Sequence, residues 1–200
     1  MTEQKPSGRS ERVNLGKQIG RPVVLVGLMG AGKTTVGRRL AKVIGRSFVD
    51  SDAEIELAAG CSISDIFAIH GEPIFRDLEL RVISRLLEKP NIVLATGGGA
   101  WMQQKVRDQI KDRAISVWLR AELDVLLDRV ERRNHRPLLE NGDKGAILKR
   151  LMDERYPVYS RADIVVDSGA GPHEEVVEKV VDSLILHTGD QPHATAHSHA

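Results

Sequence analysis

Hydrophobic positions along the chain fall into two alternating rhythms. Short apolar runs at Val23–Val26, Ser47–Val49, Ile92–Ala95, Ile115–Leu119 and Ile164–Val166 have the length of buried strands. Between them the apolar residues recur every three or four positions. Val36, Leu40, Val43 and Ile44 form one such face, stopped by Gly45, and Ile66, Phe67 and Ile69 form another, opened by the capping-box pattern Ser62-Ile63-Ser64-Asp65 and ended by Gly71. Pro73 suits the first turn of a longer helix bearing Phe75, Leu78, Val82 and Leu86, with Pro90 as its stop. Further helices are expected through Val106 and Ile110, from Glu122 to about Val130, from Ile147 to Arg155, and from Glu174 to Leu186.

Five buried strands alternating with helices predict an α/β domain: a three-layer α/β/α sandwich around a five-stranded parallel sheet, with ligands bound beyond the carboxyl ends of the strands. The rhythm is absent from residues 1–18, expected to be a flexible polar arm, and from residues 188–200, expected to be a disordered tail bearing His193, His197 and His199. A single domain over 19–187 is expected between them. Inside it, residues 131–146, with Asn134, Pro137, Asn141, Gly142 and Gly145, break the pattern and suggest a mobile lid.

Composition narrows the class. Two hundred residues, 41% hydrophobic, suffice for one well-cored domain. A net charge of +1 supplies no global field for nucleic acid or an anionic membrane, so neither partner is expected. Nor does any apolar run approach the roughly 20 residues of a membrane span. The single cysteine, Cys61, excludes an internal disulfide framework and fits a reducing, cytoplasmic setting. A monomer is the expected state.

The chemistry starts at Gly27-Leu28-Met29-Gly30-Ala31-Gly32-Lys33-Thr34, between the first strand and the first long helix. This is a phosphate-binding loop in its proper context. Its glycines let backbone N–H groups wrap a polyphosphate at a helix N-terminus, where the helix dipole favours negative charge. Contacts to the phosphates of a nucleotide are therefore expected from Gly30, Ala31, Gly32, Lys33, Thr34 and Thr35. Lys33 would neutralise the β/γ oxygens, and Thr34 would supply one oxygen to a bridging Mg²⁺. Asp50-Ser51-Asp52 follows the second strand on the same sheet edge. There one carboxylate can serve the metal while the other orients an acceptor hydroxyl for in-line attack. The alternative use of these aspartates is to cap the helix that starts near Ala53.

Gly97-Gly98-Gly99 after the third strand buries no side chain, which implies a close approach to its backbone, by a substrate or the γ-phosphate; a wide turn is the alternative. Arg129, Arg132, Arg133 and Arg136 lie in or beside the irregular segment, and Arg76 and Arg155 near helix ends. Guanidinium groups match phosphate and carboxylate in bidentate fashion. Met29, Phe67 and Phe75 could wall a ring-shaped acceptor, although core packing explains the phenylalanines equally well. No Asn-Lys-x-Asp stretch of the kind that selects guanine occurs, which argues against a GTP switch.

The phosphate loop, Phe48-Val49-Asp50-Ser51-Asp52, Ile66-Phe67 with Gly71-Glu72 and Phe75-Arg76, the triple glycine, Arg136-Pro137-Leu138-Leu139 and Arg155-Tyr156-Pro157-Val158-Tyr159 together resemble the shikimate kinases, from about Val23 to Leu186. The resemblance implies a fold like that of the nucleoside monophosphate kinases and transfer of the γ-phosphoryl of ATP to the 3-hydroxyl of shikimate with Mg²⁺. It places Asp52 on the shikimate hydroxyls and Asp50 in the magnesium environment with Thr34. Arg76 and Arg155 would clamp the shikimate carboxylate, Gly97, Gly98 and Gly99 would line the pocket, and Glu79 would support it from behind. Arg136 would bridge phosphate and shikimate, and Arg129 would lie against the adenine. Without the resemblance, a gluconate or nucleotide kinase of the same fold remains open.

Overall fold

The computed structural model describes residues 9–132 and 143–189. Five strands, β1 (Val23–Val26), β2 (Ser47–Asp50), β3 (Ile92–Ala95), β4 (Ile115–Arg120) and β5 (Ile164–Asp167), form one parallel sheet in the order β2-β3-β1-β4-β5. β1 and β3 carry uninterrupted apolar runs, and β4 one broken only by the buried Ser116 before it ends at Arg120, because helices cover both faces of these central strands; every residue of β1 and β3 is buried. The edges differ. β2 is partly exposed and β5 alternates buried and exposed, so the sheet needs a continuous apolar run only in its middle.

α2 (Lys33–Val43) lies across β1, β2 and β3 and packs against α8 (His173–Gly189), which covers β5. On the other side α5 (Gln104–Arg113) packs on β4 and against α4 (Ile63–Leu86). α3 (Ser51–Ala59) joins β2 to α4, and α6 (Leu123–Glu131) packs with α7 (Lys144–Tyr159). β3 and β4, consecutive in the chain, flank β1, so the connections change sides at the strand that carries the phosphate loop. Ligands of open α/β sheets bind at such a switch point.

The capping box of α4 is formed, with Asp65 N–H donating to Ser62 Oγ and Ser62 N–H to Asp65 Oδ2. The expected stop at Gly71 is a break rather than an end. Gly71 leaves helical geometry (φ 77°, ψ 173°), and Pro73, which needs no N–H partner, starts the next turn immediately.

Two boundaries depart from the periodicity. The arm is not wholly unattached: Arg9–Gln18 is a helix, α1, on α2 and α8. Ten residues make a marginal helix alone. Leu15 and the adjacent Ile19 are buried, however, and each such side chain contributes about 1.5–3 kcal/mol. The buried Arg46 donates to Gly16 O from Nε (2.9 Å) and Nη2 (2.6 Å) and to Arg21 O from Nη1 (2.5 Å). Gly16 fits because a Cβ there would stand 1.9 Å from Ile44 O. None of this has a sequence period, since few side chains of α1 enter the core. Secondly, both ends of the span assigned to the lid are helical: Glu131 closes α6, and Lys144 opens α7 three residues before the expected start, capped by Asp143. Residues 133–142 of the lid span, with Arg133 and Arg136, the residues before Arg9 and the histidines of the tail lie outside the described residues.

Candidate active site

β1 ends in the phosphate loop, whose path requires left-handed backbone at Gly27 (φ 140°), Gly30 (φ 83°) and Gly32 (φ 94°), the last being the N-cap of α2. Lys33 folds back over its own loop, donating from Nζ to Gly27 O (2.7 Å) and Leu28 O (2.9 Å). Behind the loop Ser168, fully buried at the end of β5, donates to Ala31 O (2.9 Å). Arg129 on α6 donates to Gly30 O (3.3 Å), Ser168 Oγ (3.0 Å) and Gly169 O (2.5 Å). The loop is thus tied to the β5–α8 connection.

Asp50 serves two ends at once. Its Oδ1 accepts from Asp52 N–H (3.1 Å), capping α3, while its Oδ2 accepts from the Thr34 hydroxyl (3.0 Å) at the start of α2. One oxygen thus makes the cap that the sequence offered as an alternative, and the other holds the hydroxyl that opens α2. The hydroxyl–carboxylate pair beside the phosphate loop offers the hard oxygen donors that Mg²⁺ takes. Among the described residues no group of three or more His, Cys, Asp or Glu side chains forms a metal cage. Asp52 has its pKa raised by burial and by Asp50, with Lys33 opposing.

The triple glycine lies across from the loop, and its backbone is ordinary: none of the three has positive φ. At Gly97 and Gly99 glycine leaves room for side chains, whereas a Cβ on Gly98 would meet nothing closer than 3.6 Å. A Cβ on Gly97 would stand 2.7 Å from Asp52 Oδ1 and 3.1 Å from Glu79 Oε1, and one on Gly99 would stand 2.7 Å from Arg76 Nη2. The protein's own charged side chains, Asp52, Glu79 and Arg76, therefore come close to this backbone. Gly97 N–H donates to Ser51 Oγ (3.1 Å), and Gly98 O accepts from Arg155 Nη1 (3.0 Å) and the buried Tyr159 hydroxyl.

Beneath the turn, Glu79 is 1% exposed and its Oε2 accepts from Arg76 Nη1 (2.7 Å) and Gln103 Nε2 (2.7 Å). Burial raises the pKa of Glu79 against the pull of Arg76. Burial also works against the charge on Arg76, but Glu79 and Glu72 outweigh it and hold its pKa above the ordinary value. Trp118 on β4 connects the two sides: it stacks on Tyr159 (centroids 5.9 Å apart) and lies beside Gly27, whose Cβ would meet the ring at 3.4 Å.

A cleft of about 680 Å³ runs along the carboxyl ends of the strands. Gly30, Gly32, Lys33, Thr34, Asp50, Asp52, Gly98 and Arg129 line it, as does Met29. Ala31 is buried under the loop and Thr35 is one residue further into α2, outside the lining. Arg76, Glu79, Gly97, Gly99 and Arg155 gather around the turn of which Gly98 is the lining residue. Phe75 is buried against Phe67 (centroids 4.6 Å), and neither lines the cleft. Sequence reasoning missed Asp124, Asp128 and the run from Ala170 to Glu174, all in the lining. Ser168-Gly169-Ala170-Gly171-Pro172 after β5 carried a signal, a run of small residues at a strand's carboxyl end, the same cue that marked the triple glycine.

The family model for shikimate kinase matches residues 29–185. A shikimate kinase of Rhodopseudomonas palustris is 57% identical over 164 residues, 82% of this chain and 81% of the relative, and one of Paramagnetospirillum magneticum is 55% identical over 173 residues, 86% and 89%. Among solved structures, shikimate kinase from Acinetobacter baumannii in complex with shikimate superposes with a TM-score of 0.81 at 38% identity, covering 88% of this chain and 99% of that one. A gluconokinase from Sinorhizobium meliloti shares the fold at a TM-score of 0.58 and 19% identity, with 86% and 95% covered. At these identities, and with the family model spanning most of the chain, the protein belongs to the shikimate kinase family of ATP-dependent kinases.

Proposed function

We propose that the protein transfers the γ-phosphoryl group of ATP to the 3-hydroxyl of shikimate, releasing ADP and shikimate 3-phosphate, in the pathway to chorismate and the aromatic amino acids. The observation that carries this is the position of Gly98. It faces the phosphate loop, with Gly27 O 3.7 Å and Met29 N 3.6 Å from where its Cβ would stand, while its carbonyl holds Arg155. The turn thus brings an acceptor pocket with two guanidinium groups and a carboxylate next to the phosphates. Such a pocket suits a hydroxylated carboxylate.

Lys33 and the N–H groups of the loop hold the phosphates, and Arg129 flanks the nucleotide. Thr34 and Asp50 would hold Mg²⁺, which, when bound, would neutralise charge on the phosphate oxygens. Asp52 accepts a hydrogen bond from the acceptor hydroxyl and orients it, while Arg76 and Arg155 clamp the carboxylate with Glu79 behind Arg76. Arg136 belongs to this assignment as the residue between phosphate and acceptor, though it lies outside the described residues. A cytoplasmic monomer without nucleic-acid or membrane partners completes the proposal; the net charge of +1 supports the absence of those partners, and the lone cysteine a reducing compartment.

The test is ATP consumption with shikimate, gluconate and nucleoside monophosphates. Turnover that depends on shikimate is expected, and preference for another acceptor would overturn the assignment. Asp52→Asn is expected to keep the ATP Kd within about twofold while kcat falls about a hundredfold. Undiminished turnover would remove Asp52 from the acceptor.

A further inference from the structure

Gln103 occupies the N-cap of α5 but makes no capping bond with its side chain. Glutamine is not a favoured cap, and Ser, Thr, Asp or Asn would satisfy a helix N–H there. Its amide turns instead toward α4, 24 positions away in sequence, and donates to Glu79 Oε2. That oxygen also accepts from Arg76 Nη1. Arg76 has a second carboxylate within reach: its Nε and Nη2 donate to the exposed Glu72 (3.1 and 3.0 Å) on the outer side of α4. The direction of the guanidinium therefore depends on how firmly Glu79 is held, as a charge and at its present place beneath Gly97.

We propose that Gln103 is a positioning residue for the acceptor: its amide fixes the buried Glu79 in the ionised form, and Glu79 aims Arg76 past Gly99 at the acceptor's carboxylate. The proposal rests on the assignment of Arg76 to that carboxylate. Groups on every neighbouring element bear on Glu79. Arg76 on α4 favours its charge and Asp52 on α3 opposes it, while Gln103 before α5 favours it by hydrogen bonding. Tyr159 on α7, neutral because burial pushes its hydroxyl up to about 12, is close enough to sense the carboxylate. Removing the amide donor leaves a buried carboxylate with one partner fewer, so its pKa rises further. Once protonated, Glu79 no longer attracts Arg76, and Glu72 becomes the better partner.

Two variants of the full chain, Gln103→Leu and Gln103→Glu, test this by kcat and KM for both substrates across pH. Gln103→Leu is expected to raise the shikimate KM roughly tenfold, the scale of one lost hydrogen bond to a charged group, with the ATP KM unchanged. The acid limb of kcat/KM for shikimate should move to higher pH, because Glu79 then takes up its proton earlier. Gln103→Glu sets two carboxylates together and should be worse than Gln103→Leu at neutral pH. It should then approach wild type as the pH falls and one proton is shared between residues 103 and 79. This opposite pH course is one that mere loosening of α5 would not give. Unchanged acid limbs and shikimate KM in both variants, or equal rises in both substrates' KM, would overturn the role of Gln103 while the kinase assignment stands. A wild-type protein inactive toward shikimate would overturn the assignment itself.

Discussion

The phosphate loop and the triple glycine face each other across one cleft and use the same residue for different reasons. In the loop, Gly27, Gly30 and Gly32 adopt positive φ, so the requirement lies in the backbone of each residue. In the turn the backbone is ordinary, and the requirement lies in Asp52, Glu79 and Arg76, side chains from α3 and α4 that fill the space where a Cβ would be. The first kind of site is built by a contiguous stretch and is portable. The second exists only when distant elements have assembled, and it can be tuned one neighbour at a time.

This contrast breaks most sharply at Lys33. Lys33→Met removes the loop's ammonium group, proposed above to meet the phosphates, and kcat should fall about a hundredfold to a thousandfold, as when a preorganised charge contact is lost. Shikimate affinity should be preserved, and titration calorimetry with shikimate checks this. Loss of shikimate binding as well would show that the two sides are not separable.

Alanine substitutions at the two kinds of glycine sharpen the comparison. Gly32→Ala places a Cβ on a residue at φ 94°, with no heavy atom beyond its neighbours closer than 3.6 Å; the expected cost is strain of about 1–2 kcal/mol in thermal unfolding and a raised ATP KM. Gly99→Ala meets no φ penalty but presses on the Arg76 guanidinium, so it should raise the shikimate KM about tenfold or more and leave the ATP KM alone. Identical kinetic effects of the two would erase the distinction.

Arg155→Ala should have the smallest effect of the set. It removes one proposed clamp on the acceptor and one of the two donors to Gly98 O, and Tyr159 still holds that carbonyl. A roughly tenfold rise in shikimate KM with little change in Tm is expected, on the scale of a charged hydrogen bond. Equal rises in both KM values would mean that Arg155 steadies the turn rather than the acceptor.

The legibility of each region follows from the same contrast. The loop was readable because its glycines, lysine and threonine sit at fixed offsets between a strand and a helix, and the central strands were readable because burial on both faces demands continuous apolar runs. Asp50 and Asp52 were legible as candidates by their place at a strand end, but not the division of Asp50 between a cap and Thr34. Gln103 and Tyr159 were invisible as site residues, since each acts through a partner far away in sequence. Helix α1 escaped for a related reason: Leu15, Gly16 and Arg12, which pairs with Glu178, matter only against α2 and α8.

The sequence by itself determined the alternation of strands and helices, the parallel sheet and the presence and place of a polyphosphate loop, because these depend on periodicity and on neighbours within a few residues. The motif order also carried the resemblance from which the acceptor was inferred. Only the tertiary structure decided that the triple glycine is a space for carboxylates and guanidinium groups, and that Arg76 is held between Glu79 and Glu72. It also decided that Trp118 and Tyr159 join the two sides of the cleft. Those features arise where α3, α4, α5 and α7 converge on the ends of β1 and β3, and contacts between elements leave no period in the chain that makes them.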